Sequence, residues 1–279
     1  MVLLDGKKVA NNLKKEIMEK VNKLDVKPGL AVICIGENSA SKLYVTLKHK
    51  ICEEIGINIE EYFFDNHVQQ NELIELIDRL NHEETIHGIL VQSPVPYHIN
   101  ILELFEKIAP EKDIDGFNPI NVGKLSQGLN ELAPCTPLGV MHLFKEYGIE
   151  LEGKNCVVIG RSNIVGRPMA QLLINANATV TVCHSKTRNL ADITKQADIL
   201  IVAVGKANFI TADMIKDNAV IIDVGINRKD DSKEIVGDVD FESVKNKCSY
   251  ITPVPGGVGP MTIIMLMENV VKACENITK

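Results

Sequence analysis

Tyr44 and Lys48 stand four residues apart in a segment with a helical pattern, so both side chains project from one face of a turn. A lysine held away from water has its charged form penalised, so its pKa falls and its amine can act as a base near neutrality. The same spacing fits a surface lysine whose stem snorkels beside a half-buried tyrosine. Gln92 closes the apolar run Gly88-Ile89-Leu90-Val91, just before Ser93-Pro94-Val95-Pro96. An amide there can bond a ligand, hold another side chain or simply end a strand. Asp113 and Asp115, in Lys112-Asp113-Ile114-Asp115-Gly116-Phe117, read either as paired carboxylates or as a turn held by Asx hydrogen bonds. Cys135, in Pro134-Cys135-Thr136-Pro137, has no accompanying His or Asn motif and reads as structural.

A second group of residues suits phosphate. Cys156-Val157-Val158-Ile159 runs into Gly160, then Arg161-Ser162-Asn163-Ile164-Val165, then Gly166 and a helix-compatible run from Pro168 to Asn175. Strand, tight turn and helix N-terminus in that order place free N–H groups and the positive end of a helix dipole at one spot. The spacing is not G-x-G-x-x-G, because Ser162 replaces the second glycine and Gly166 comes later. Taken alone, it is compatible with an ordinary strand–turn–helix. About twenty residues on, where a NAD site places an acid for the ribose 2′-hydroxyl, stands His184-Ser185-Lys186-Thr187-Arg188, with no acid until Asp192. Hydroxyls and cations suit a 2′-phosphate, so NADP is expected over NAD. A solvated basic turn has the same composition.

These residues need strand ends to hold them, and the chain supplies two α/β rhythms. In the first half, Asp5 to Lys23 reads as a helix, with Val9, Leu13, Ile17 and Val21 at i, i+4 spacing. Strands are expected over Leu30–Ile35, Ile57–Phe64 and Gly88–Gln92. Helices are expected from about Ser39 to Ile55 (opened by Asn38 or Ser39), from Glu72 to Leu80 and from Ile101 to Ile108. The stretch Asn118 to Pro137, rich in Gly, Asn and Pro, reads as a long ordered loop at a domain junction. Leu138 to Tyr147 reads as a helix leading into the second half, where Thr179–Cys183, Ile199–Val204 and Val220–Val224 follow at the rhythm of a parallel βαβ sheet. Gly205 and Gly225 end two of these runs, at the edge where ligands sit in doubly wound sheets. A rigid loop, Thr252 to Pro260, precedes a final apolar helix over Met261–Cys274.

Composition sets bounds on partners. The chain has 279 residues, 45% hydrophobic and 24% charged, with net charge −7, 4% aromatic content and no Trp. That balance disfavours a nucleic-acid footprint and base-stacking platforms. No apolar run reaches the roughly 18 residues of a membrane span, and the start lacks a signal-peptide core, so a cytoplasmic protein is expected. Seven cysteines without C-x-x-C and seven histidines without ligand spacing predict no metal site.

Taken in order, these blocks resemble the methylenetetrahydrofolate dehydrogenase/cyclohydrolase family of one-carbon metabolism. The resemblance rests on Tyr44-x-x-x-Lys48, Val91-Gln92-x-Pro94-x-Pro96, Lys112-Asp113-x-Asp115-Gly116-Phe117 and Pro134-Cys135-Thr136-Pro137. Gly160-Arg161-Ser162-x-x-Val165-Gly166-x-Pro168, Asp223-Val224-Gly225, Gly237-Asp238-Val239 and Thr252 to Thr262 complete it. It covers nearly the whole chain. It implies an α/β fold of two domains: a folate-binding catalytic domain over 1–137 and a Rossmann-like parallel-sheet NADP domain over 138–260. A helix over 261–279 would return to the first domain, with the substrate cleft between the two.

The resemblance makes Lys48 the catalytic lysine, has Tyr44 stack on the folate, sets Gln92 beside Lys48 and has Asp115 hold the pterin. Pro255, Gly256 and Gly257 join the substrate site. Gly160, Arg161, Ser162, Gly166, Ser185, Gly205, Gly225 and Ile226 take NADP. The implied reaction oxidises 5,10-methylenetetrahydrofolate to the methenyl form and hydrolyses it to 10-formyltetrahydrofolate, in a homodimer formed through the nucleotide domain. Because all four catalytic positions are filled, a regulatory module that kept the fold and lost turnover is the weaker alternative. The chain departs from the family at Ser93 and Val95, where leucines are common, which bears on the fit of the folate tail.

Overall fold

The computed structural model describes the chain except residues 37, 38, 130 and 229–233, with only the backbone described for 39–46. The expected cap at Asn38 or Ser39 lies outside the described residues. Two compact units emerge: Met1–Asn11 with Thr136–Thr262, and Asn12–Cys135 with Ile263–Lys279.

The chain opens with β1 (Val2–Leu3) and α1 (Gly6–Val21). No strand is expected before α1. Yet Val2 donates its N–H to the Ser249 carbonyl at 2.7 Å and Leu4 to that of Ile251 at 2.9 Å, which adds an edge strand to the sheet of the unit containing Thr136–Thr262. Two residues are too few to show a period of two, so the sequence carries no signal for it. Val9, Leu13, Ile17 and Val21 are all buried, as their spacing requires.

The unit containing Asn12–Cys135 is built on β2 (Gly29–Ile35), α2 (Ser39–Ile55), β3 (Asn58–Phe64), α3 (Gln70–His82), β4 (Gly88–Gln92), α4 (Ile101–Lys107) and α5 (Pro119–Ser126). Its three strands form a parallel sheet in the order β3-β2-β4, with Cys34 opposite Gln92. Every residue of β2 is buried, so the central strand is a continuous apolar run, the pattern of a parallel sheet covered on both faces. Ala31, Ile33 and Ile35 pack with Leu73, Leu76, Ile77 and Leu80 of α3 and with Leu104 and Phe105 of α4.

Residues 118–137 are not one long loop. Asn118 Oδ1 accepts from the Ile120 N–H at 2.8 Å, and Pro119, which has no N–H to leave unpaired, opens α5. The next helix, α6 (Cys135–Glu146), begins before the segment ends. Asn and Pro here are helix-start chemistry, which composition alone does not separate from loop.

The other unit continues with β5 (Asn155–Ile159), α7 (Gly166–Asn175), β6 (Thr179–Cys183), α8 (Leu190–Thr194), β7 (Ile199–Val202), a 3₁₀ turn (Ala212–Met214) and β8 (Val220–Asp223). It closes with the hairpin β9 (Asn227–Arg228) and β10 (Ile235–Val236), then α9 (Phe241–Val244), β11 (Tyr250–Ile251) and the start of α10 (Val258–Ile277). The six-stranded sheet is parallel, ordered β1-β11-β8-β7-β5-β6. From β5 the chain goes to β6 on one side and then to β7 on the other, so strand order reverses beside β5. That is the switch point where doubly wound sheets bind ligands. Residues 263–277 of α10 and the last two residues belong to the unit containing Asn12–Cys135. Among the described residues no helix is long and apolar enough to cross a membrane.

Candidate active site

Lys48 lies on α2 and is only 8% exposed. Its Nζ donates to Gln92 Oε1 at 2.7 Å, while Gln92 Nε2 donates to the Ser93 carbonyl at 2.8 Å. The Ser93 oxygen can only accept, so the amide nitrogen must face it and the amide oxygen must face Lys48. Burial drives the Lys48 pKa down, and the negative charge of Asp115 opposes that shift. The thiols of Cys34 and Cys52 feel the lysine charge, yet burial raises them to about 11 and about 12, so both stay protonated. Lys48 is therefore an amine in a poorly hydrated site, aimed by an amide. Of the two readings its spacing allows, the snorkelling surface lysine fails.

Asp113 and Asp115 divide the two readings of their cluster between them. Asp113 is buried and scaffolds the turn, accepting from the Phe117 N–H at 3.2 Å, the Asn118 N–H at 2.8 Å and Asn121 Nδ2 at 2.8 Å. Asp115 is half-buried on that turn. Burial raises its pKa to about 7, with Lys48 pulling the other way and Asp113 adding to the rise. Cys135 Sγ donates to the Ile114 carbonyl at 3.4 Å and approaches Asp115 Oδ1 at 3.9 Å. Burial, then Asp115, holds that thiol well above its ordinary range, so Cys135 is a structural thiol and no nucleophile. Lys48, Gln92 and Asp115 thus belong to one unit. Tyr44 lies on the same helix, its side chain outside the described residues.

Pro255, Gly256 and Gly257 belong to the unit containing Thr136–Thr262. Gly256 has φ of +109°, and a Cβ at Gly257 would lie 2.6 Å from the Pro253 carbonyl oxygen, so the loop needs both glycines. Gly6 packs its bare Cα against the Gly257 carbonyl, which ties the loop to the start of α1.

The phosphate-suited residues lie at the carboxyl ends of β5, β6, β7 and β8. Gly160 has φ of +122°, and a Cβ there would run into the Ala203 carbonyl at the end of β7. A Cβ at Gly166 would strike the Gly160 carbonyl in turn. These glycines keep the switch point bare. The α7 N-terminus, however, does not present free N–H groups. Ser162 Oγ accepts from Val165 and Gly166, the Ser162 carbonyl accepts from Arg167, the Val165 carbonyl accepts from Met169, and Pro168 has no N–H. To an anion the turn offers the helix dipole, the Ser162 hydroxyl proton and the exposed Arg161.

After β6, Thr187 Oγ1 accepts from the His184 N–H and His184 Nδ1 accepts from the Lys186 N–H. This folds the turn and leaves Ser185, Lys186 and Arg188 exposed. Gly205 and Ile226 are open, and Gly225 abuts the Asp238 carboxylate. Bare backbone at the switch point, together with hydroxyl and cationic side chains on the neighbouring strand end, fits a phosphorylated dinucleotide. Among the described residues no group of His, Cys, Asp and Glu could hold a metal ion.

Sequence reasoning missed the acids that build this edge. Asp238, fully buried, accepts from the N–H groups of Val204, Gly205 and Lys206 at 2.6–2.9 Å and from Asn227 Nδ2 at 2.8 Å. Asp223 accepts from the N–H groups of Gly225, Asp238 and Val239 at 2.9–3.0 Å, and burial raises it to about 6. The available signal was an acid beside a glycine at each strand end, Asp223-Val224-Gly225 and Gly237-Asp238.

The family model for the tetrahydrofolate dehydrogenase/cyclohydrolase catalytic domain matches residues 4–115, and that for the NAD(P)-binding domain matches residues 134–278. The chain is 56% identical over 279 residues to a bifunctional protein FolD of Campylobacter hominis, covering 99% of this chain and 98% of the relative. The crystal structure of the bifunctional methylenetetrahydrofolate dehydrogenase/cyclohydrolase of Campylobacter jejuni superposes with a TM-score of 0.97 at 55% identity, covering 99% of each chain. A Trypanosoma brucei enzyme of this kind, complexed with NADP cofactor and inhibitor, gives 0.95 at 40% identity, covering 100% of this chain and 99% of that one. The chain therefore belongs to the tetrahydrofolate dehydrogenase/cyclohydrolase family.

Proposed function

We infer that the protein oxidises 5,10-methylenetetrahydrofolate to the methenyl cation with NADP and hydrolyses that cation to 10-formyltetrahydrofolate. The observation that carries this reading is the buried Lys48 amine, hydrogen-bonded to Gln92 and electrostatically coupled to Asp115. NADP, when bound, supplies the hydride acceptor. The Asp115 carboxylate accepts paired N–H bonds from the aminopyrimidinone ring, and Tyr44 stacks on the folate. Lys48 then handles protons: water adds to the methenyl carbon and gives up a proton to the amine. As the bond from that carbon to N5 breaks, the amine returns its proton to N5. The carbinol hydroxyl becomes the formyl C=O and gives up its own proton to solvent, so one proton is released overall. Gln92 orients the amine throughout.

For the cofactor, Gly160, Gly166, Gly205, Gly225 and Ile226 supply close backbone approach. Arg161, Ser162 and Ser185 meet the 2′-phosphate. The test is NADPH formation dependent on methylenetetrahydrofolate, run with NADP and then NAD. NADP is expected to be the better substrate, and Ser185→Asp should raise its KM by about tenfold by placing a carboxylate against the phosphate. Equal catalytic efficiency with both cofactors in the parent enzyme would overturn the assignment of this strand end.

A homodimer formed through the nucleotide unit is supported by its outer edge. β6 is an edge strand, with Val182 39% exposed and Ile174 of the adjoining α7 49% exposed. An open apolar strand edge invites pairing with a second copy. Light scattering should return about 62 kDa, twice the chain mass of 30.8 kDa. A result of about 31 kDa at micromolar concentration would reject the dimer. A reducing, cytoplasmic setting is supported by the seven cysteines, every one buried and free.

A further inference from the structure

Asn269 is a polar residue in the middle of the apolar helix α10, among the buried Met265, Leu266, Met267, Val270 and Val271, and is itself 3% exposed. An amide is costly there unless both of its N–H groups are bonded. Its Nδ2 donates to the Ile114 carbonyl at 2.7 Å and to the Ala133 carbonyl at 3.0 Å. Those two acceptors use both protons, and the Cys135 sulfur lies alongside at 3.6 Å.

The two carbonyls belong to the two segments that meet at Asp115. Ile114 directly precedes it. Ala133 begins the segment carrying Cys135, whose thiol approaches Asp115 Oδ1. Gly116, directly after Asp115, has φ of +69°, and a Cβ there would lie 2.7 Å from the Ala133 carbonyl carbon. The turn therefore rests directly on the 133–134 backbone, and one side chain 155 residues further along the chain rivets both layers.

We propose that Asn269 is a positioning residue for the folate site: its amide clamps the Ile114 and Ala133 carbonyls and so fixes the direction of the Asp115 carboxylate. This rests on the reading of Asp115 as the pterin anchor. An apolar residue of similar volume would fill the same space and pack as well, but would leave the turn free to shift by a fraction of an ångström. A paired carboxylate–pterin contact tolerates such a shift poorly, since a misplacement of about 1 Å costs about 100-fold.

The test uses Asn269→Leu, which removes both donors, and Asn269→Ser, which keeps one. Folded state is confirmed by thermal melting. The KM for methylenetetrahydrofolate should rise between about 10- and 100-fold in Asn269→Leu and less in Asn269→Ser. The KM for NADP should stay within about twofold, and the pH step in folate kcat/KM near 7 should shift or broaden. If Asn269→Leu does not fold, Asn269→Ser carries the same comparison. A folded variant with the parent's folate KM and pH step would overturn the proposal, and so would an equal rise in both KM values. Asp115→Asn separates the two layers of the argument. If it leaves folate KM unchanged, the anchor reading itself fails; if it raises KM while both Asn269 variants match the parent, only the role of Asn269 fails.

Discussion

Asp115→Asn is expected to raise the KM for methylenetetrahydrofolate by about 10- to 100-fold and to depress both activities, because a charge-assisted paired hydrogen bond to the pterin becomes a neutral one. The pH dependence should change with it. With a pKa of about 7, Asp115 is ionised above neutrality, so folate kcat/KM should climb as pH rises through 7 in the parent and lose that step in the variant. Stability should move the other way. A carboxyl whose folded pKa lies above its unfolded value of about 3.9 favours the fold below that value and loses the contribution as pH rises through about 7. The melting temperature of Asp115→Asn relative to the parent should therefore be more favourable at about pH 8 than at about pH 5. A variant less stable at the higher pH would show that Asp115 is a structural carboxylate. An anchor held at a stability cost is what a binding site requires.

Lys48→Met should separate the two reactions. Water addition and ring opening move protons at the folate carbon and at N5, whereas hydride transfer needs chiefly alignment of the two reactants. Methionine keeps the approximate bulk and removes the amine, so methenyl hydrolysis should fall by about 10²–10⁴, the range typical of a lost general base. Dehydrogenase activity should fall less. The substitution removes a buried side chain whose charged form is penalised by desolvation, so the melting temperature should hold or rise, and the loss of rate will not be confused with unfolding.

Much of this arrangement is legible along the chain because it repeats locally. The strands β2, β4, β5 and β6 declare themselves by apolar runs ended by glycine or polar clusters. Val9, Leu13, Ile17 and Val21 declare the buried face of α1. The site residues divide by the range of their interactions. Lys48 could be placed on its helix face, but not inside the protein. Its partner Gln92 is 44 residues away, and the cysteines near it by themselves read only as core. Asp113 and Asp115 form one motif, yet Asn118 and Asn121 decide which is scaffold and which is free. Asp223, Asp238 and Asn269 work by bonding backbone groups of distant segments, and no spacing rule reaches that far. Ser162, expected to face phosphate, also takes the N–H groups of the α7 start. Serine supports both roles, since its oxygen accepts while its proton remains to donate.

The most direct test of a single folate site serving both steps is to follow NADPH and methenyltetrahydrofolate together, by absorbance, from methylenetetrahydrofolate and NADP. In the parent enzyme NADPH should outpace methenyl accumulation as formyl product leaves. In Lys48→Met the two should rise one for one. If Lys48→Met instead lost NADPH formation and methenyl hydrolysis equally while folate affinity stayed unchanged, a selective hydrolytic role for Lys48 would be contradicted.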